Sequence, residues 1–248
     1  MVESNLNHPS GSTAFKPSEA EQALITKNLG EDAIVDEFFK SSVTLTKEQA
    51  DNRAKLITEI EYDYQLALNK GDYYIGSAVI NFYLKDAPNT EELFINSQAM
   101  AVTEVCINEV QFKNKEVFRN QRIPLEQPNV SQGWNTVTLK YLSPYNKNQI
   151  GLHTYTDTQD NQQYLYSQFE AFHCFRVFPC FDQPDLKAKM QLTVIAPKEW
   201  HAISNSIEQR YEYSESTQPG KHVIERNNLQ WMLDFYDKDT EVSIFDFE

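Results

Sequence analysis

After Ile57 the hydrophobic period of this chain changes, and that change limits the folds open to it. Before it, Lys47–Ile57 reads as a helix behind a Thr46/Gln49 capping box, with Ala50, Ala54 and Ile57 pointing one way. After it, Tyr62, Tyr64, Leu66 and Leu68 alternate with charged or small residues, the period of a half-buried strand. Gly71-Asp72 supplies a turn, and Tyr74–Leu84 returns as the second strand of a hairpin. Strand candidates follow at Glu92–Asn96, Val102–Ile107, Gln111–Phe112 with Lys115–Val117, Arg122–Leu125 and Asn135–Tyr141. Asp157–Asn161 reads as a polar hairpin tip. Beyond it come Met190–Ile195, His201–Ser204, Gln209–Tyr213, Lys221–Arg226, Leu229–Phe235 and Val242–Phe247. Many short alternating strands separated by polar turns predict an all-β chain whose sheets pack face to face.

The first 43 residues read as an extension and 44–248 as one β domain. Residues 1–16 are polar and aperiodic. Ser18 with Glu21 forms a capping box for a helix ending near Asn28, with Gly30 as its C-terminal cap. A second helical piece is expected over Asp32–Phe39, presenting Ile34, Val35, Phe38 and Phe39. These apolar residues either pack on their own domain or form a peg for a partner protein.

The 36 acidic and 22 basic residues leave a net charge of −14. Such a charge disfavours nucleic acid and anionic membrane surfaces as partners. No apolar run reaches membrane-spanning length, and the first residues lack the pattern of a signal peptide. Cys106, Cys174 and Cys180 are odd in number and lack metal-site spacing, which suits small buried side chains in a reducing compartment. A cytoplasmic location follows by elimination, with a cytoskeletal or organellar complex as possible host. Tyr73, Tyr74, Tyr83, Tyr141 and Tyr145 suit either a sheet core or an interface.

The segment Tyr166–Asp185, YSQFEAFHCFRVFPCFDQPD, sets a polar pair on a stiff aromatic frame and reads as a site edge or as a buried network. Gln168 and Glu170 are two residues apart, so on an extended segment they share a face. Phe169, Phe172, Phe175, Phe178 and Phe181 surround them with aromatic surface, and Pro179 and Pro184 stiffen the backbone around Cys180 and Asp182. The neighbours His173 and Cys174 would point apart on a strand and so make no nucleophile–base pair.

This segment resembles the signature of the N-terminal domain of the M1 family of zinc aminopeptidases. Thr44–Phe82, Gly151–Asp157 (GLHTYTD) and LTVIAPKEWHAISNS, which begins at Leu192, resemble the same domain in the family's order and spacing. The resemblance implies a large saddle-like β-sandwich preceded by short helices. It further implies that Gln168 and Glu170 form a lip for a substrate's free amino group, while Arg176, Asp182 and Pro184 organise the loop; in this chain alone the lip is expected to be vestigial, its two residues holding neighbouring backbone instead. Phe175 departs from the pattern, standing where the family has the first of two arginines.

A zinc aminopeptidase needs two imidazoles one helical turn apart and a carboxylate that activates water. The five histidines, His8, His153, His173, His201 and His222, include no H-E-x-x-H, and the family's G-x-M-E-N segment is also absent from these 248 residues. No G-x-S-x-G and no phosphate-binding glycine loop occurs either. The expectation is a non-catalytic chain without cofactor or metal, acting as a structural or scaffolding subunit among other proteins of an assembly. Two alternatives stand beside it: the non-catalytic part of an M1 zinc aminopeptidase working with a separate catalytic domain, and a module for peptide N-termini. For that last role a bare carboxylate contributes little, since an exposed ion pair is worth about 0–1 kcal/mol.

Overall fold

In the computed structural model, the described residues are 14–37, 39, 44–88, 93–113, 117–214, 229–237 and 240–247, with side chains omitted for 210–214 and 230. Strand candidate Lys221–Arg226, together with Phe38, Glu92 and Lys115, lies outside them. Both capping boxes form. Ser18 Oγ accepts from Glu21 N and the Glu21 carboxylate from Ser18 N, opening α1 (Glu19–Leu29). Thr46 and Gln49 do the same for α2 (Lys47–Leu56).

The helix expected over Asp32–Phe39 does not form. Ile34–Val35 is instead strand β1, paired antiparallel with β5 (Ala101–Ile107). A β-branched pair beside an open sheet edge gains ladder hydrogen bonds that a short isolated helix could not match. Ile34 is buried, Val35 packs half-buried and Phe39 is buried with its ring 5.3 Å from Phe15. The described residues of the expected peg therefore bury against their own domain.

The hairpin forms as read: β2 (Ile57–Ala67) pairs with β3 (Tyr73–Leu84). β3 pairs in turn with β8 (Gly133–Pro144), and β8 with β5. On the other side β2 runs parallel to β11 (Lys189–Pro197), which is followed by β13 (Val242–Phe247) and β12 (Glu208–Ser214). With β6 (Val110–Phe112) on β5, this makes a nine-stranded sheet. Two short sheets lie apart from it, β4 (Phe94–Asn96) with β7 (Arg122–Pro124), and β9 (Gly151–Thr156) with β10 (Gln163–Gln168).

Alternation gives the large sheet two apolar faces. Tyr64, Tyr74, Ile80, Phe82 and Tyr141 pack toward Phe178, Phe181 and the short sheets. Ala67, Ile75, Leu142, Ile195 and Ile244 pack toward α1 and a last short helix, α3 (Gln230–Leu233). The strand expected at Leu229–Phe235 is thus a helical turn, in which Leu229, Met232 and Leu233 are buried together. Of the five tyrosines left open, Tyr74, Tyr141 and Tyr145 are core. His201–Ser204 carries no strand, and no helix among the described residues is long and apolar enough to cross a membrane.

Candidate functional site

The signature segment begins on a two-stranded ribbon. β9 and β10 pair from Gln163 opposite Thr156 to Gln168 opposite Gly151. Their connection is held by Asp157 Oδ1 and Asp160 Oδ1, which accept from Gln159 N and Gln162 N at 2.8 Å each. Such side-chain-to-backbone bonds set a polar turn without glycine. β10 ends at Gln168, so Gln168 and Glu170 do not share a strand face as expected. The chain turns instead, with His173 N donating to Phe169 O at 3.1 Å. The two residues are still coupled: Gln168 Oε1 accepts from Glu170 N at 2.9 Å. Both side chains are exposed, and the Glu170 carboxylate has no hydrogen-bond or ion-pair partner among the described residues.

A 3-10 turn at Cys174–Arg176 then carries the chain under the sheet. Asp182 Oδ2 accepts from Phe175 N at 3.0 Å. Burial pushes the Asp182 carboxyl pKa above its usual value, and the amides of Phe175 and Cys174 oppose that rise. Arg176 Nη1 donates to Gln98 Oε1 at 2.5 Å and its Nε to His173 Nδ1 at 3.1 Å. Burial lowers the pKa of both Arg176 and His173, and for His173 the Arg176 charge adds to the effect. Pro184 is exposed, whereas Gln183 is buried and donates to Ala50 O at 3.0 Å. Phe175 is buried with its ring 4.9 Å from Phe172, so the departure from the family pattern became packing.

Several residues that hold the loop gave no signal in the sequence. Asn96 and Cys180 exchange backbone hydrogen bonds, Gln98 N donates to Phe175 O at 2.8 Å, and Tyr64 Oη donates to Pro179 O at 2.7 Å. Arg53, on α2, is fully buried and donates through Nη2 to Phe94 O and Asn96 Oδ1. Burial lowers its pKa to about 10. α2 therefore buries Arg53, while Ala54, expected to face inward, is exposed.

Beside the ribbon lies a groove of about 1040 Å³ whose walls include Leu165, Phe178, Leu192, Val194, Trp200 and Phe247. Tyr164, Tyr166, Met190 and Ile203 stand exposed at its mouth, Ile203 at 93%. Among the described residues no three His, Cys, Asp or Glu side chains come together as metal ligands. His153 Nδ1 and His173 Nδ1 are each engaged as acceptors, from Gln149 N and Arg176 Nε.

Residues 58–227 match the model of the peptidase M1 N-terminal domain. Aminopeptidase N of Streptomyces lividans is 39% identical over 165 residues, covering 65% of this chain and 19% of that protein. Glutamyl aminopeptidase of Sus scrofa is 24% identical over 164 residues, covering 60% of this chain and 17% of that protein. An M1 zinc metallopeptidase from Deinococcus radiodurans superposes with a TM-score of 0.48 at 12% identity, over 78% of this chain and 39% of that one. The chain thus spans less than a fifth of the length of these two curated relatives. With the family model covering more than half of it, the chain belongs to the peptidase M1 N-terminal domain family.

Proposed function

We propose that this chain acts as the non-catalytic wall of an M1 zinc aminopeptidase, the hydrolytic centre being carried by a separate catalytic domain that covers the apolar groove. The single observation behind this reading is the Glu170 carboxylate, exposed and without a partner among the described residues, on a backbone fixed by Gln168 at 2.9 Å. In water such a group binds an ammonium weakly; once a second domain excludes solvent, the same charge attracts a peptide's amino end strongly. The wall supplies orientation and charge, and the bond-breaking groups come from elsewhere. The test is to assay amino-acid amide hydrolysis by a zinc-bearing M1 catalytic domain with and without this chain. Added wild-type chain should lower KM, and Glu170→Gln should abolish that gain with little change in kcat. No effect of the wild-type chain on either constant would count against the reading.

A second reading keeps the same groove and changes its occupant: a scaffolding subunit docked to other proteins of a larger assembly. The exposed Tyr164, Tyr166, Met190 and Ile203 favour it equally. Size-exclusion chromatography with cross-linking in native extract separates the two. A peptidase domain as the cross-linked neighbour supports the wall, and neighbours lacking any peptidase support the scaffold.

A further inference from the structure

Arg53 carries more than its contacts to β4 use. Its side chain is fully buried, and Nη2 alone is engaged, by Phe94 O at 2.9 Å and Asn96 Oδ1 at 2.6 Å. Nε and Nη1 of Arg53 and Nδ2 of Asn96 are buried donors without an acceptor among the described residues. Asn96 is itself fully buried, and its amide oxygen holds the guanidinium, so its amide nitrogen stands beside the same group. A second cation shares the place. Arg53 lies 4.2 Å and Arg122 3.9 Å from the centre of the Phe94 ring, and Arg122 Nε is another buried donor without an acceptor. Among the described residues no ion pair joins either arginine to a carboxylate. Asp182, whose field reaches Arg53, accepts from Phe175 N instead. Buried charges are ordinarily paired, and buried donors ordinarily find acceptors.

We propose that Arg53 and Asn96 bind a small monovalent anion of chloride size between α2 and β4, with Arg122 adding to the attraction. Arg53 through Nε or Nη1 and Asn96 through Nδ2 donate to it. The anion supplies the acceptor these groups lack and the charge that two neighbouring guanidinium groups leave uncompensated. Size and valence follow from the surroundings. The Phe94 and Phe181 rings lie 4.2 and 5.8 Å from the guanidinium carbon of Arg53, and apolar walls with so few donors do not suit the oxygens of a sulfate or phosphate. A water molecule would satisfy the donors but leave the charge as it is. Gln183, bonded to Ala50 one turn before Arg53 on α2, has an unpartnered acceptor, Oε1, which is no ligand for an anion. So placed, the anion ties α2 to β4 and, through the backbone bridge from Asn96 to Cys180, to the signature loop.

The test is thermal unfolding of the full chain at fixed pH and ionic strength, with sodium gluconate exchanged stepwise for sodium chloride. Wild-type Tm should rise by about 2–4 °C, the shift that roughly a fivefold excess of ligand over its Kd produces in a chain of this size. Arg53→Met should abolish the rise. Asn96→Asp sets a carboxylate on the guanidinium and keeps the backbone bridge, so it should abolish the chloride dependence in a folded protein even if Arg53→Met does not fold. A wild-type Tm indifferent to chloride, as an ordered water alone would give, overturns the proposal. So does a rise that persists undiminished in Asn96→Asp, which would place the anion elsewhere.

Discussion

Asn96 and Cys180 bond to each other through both backbone groups, Asn96 N to Cys180 O at 2.8 Å and Cys180 N to Asn96 O at 2.9 Å. That single bridge joins the short β4–β7 sheet to the signature loop. Behind it stands Arg53, whose Nη2 holds the Asn96 side chain at 2.6 Å while the guanidinium lies 4.2 Å from the centre of the Phe94 ring. The loop is therefore fixed from the α2 side of the domain, through a cation taken out of water.

Replacing Arg53 tests that support. Arg53→Ala opens a cavity and leaves Phe94 O and Asn96 Oδ1 without their donor, so it should cost about 2–5 kcal/mol. Arg53→Met keeps most of the volume and removes a desolvated charge, and should cost less than the alanine variant. Urea unfolding monitored by tryptophan fluorescence gives both values; equal losses would show that charge, rather than packing, sets the cost.

Gly76, within β3, is required by Tyr141 across the β3–β8 ladder. A Cβ at this position would run into the Tyr141 ring, whereas the hydroxyl of that buried ring has no partner. Gly76→Ala should destabilise by about 1–3 kcal/mol through overpacking. Tyr141→Phe should be neutral or stabilising by about 1 kcal/mol, because an unpartnered hydroxyl leaves the core. A double-mutant cycle with Gly76→Ala and Tyr141→Val should show the two changes offsetting each other.

Asp182 gives the domain a pH signature. Its folded pKa is raised by burial above the ordinary value of 3.8, so the native state holds this proton more tightly than the unfolded chain. Its contribution to stability is full below 3.8 and declines as pH rises through the folded pKa. Asp182→Asn should remove that decline. Unfolding free energies of both proteins across the acid range check it, and their difference should vary with pH only in that window.

Much of this was legible from residue order. The two capping boxes and the hairpin around Gly71-Asp72 carry local chemistry that tertiary packing had no reason to override. Three segments were misread: His201–Ser204, which carries no strand, and two whose signals are not local. Ile34–Val35 became a strand because β5 offered an edge, and Leu229–Leu233 became a helical turn because a short apolar run does not declare its period. Arg53 was invisible for another reason: a charged residue on a helix ordinarily marks the solvated face. In the candidate site, Gln168 and Glu170 were read as sharing a strand face; their link is instead a side-chain-to-backbone hydrogen bond across a strand end, which alternation cannot foresee.

The isolated domain should discriminate peptide N-termini only faintly. Calorimetry with short peptides bearing free or acetylated amino ends should give weak heat for the free form and none for the acetylated form, and Glu170→Gln should erase the difference. Equal binding of both forms would remove Glu170 from the proposed wall.

The most direct test is to purify Met1–Glu248 after expression in zinc-supplemented medium, measure bound zinc by elemental analysis, and assay the same sample for amino-acid amide hydrolysis. A domain that only walls a site holds zinc well below one equivalent and releases no amide. One equivalent of tightly held zinc accompanied by hydrolysis would contradict the account at its centre.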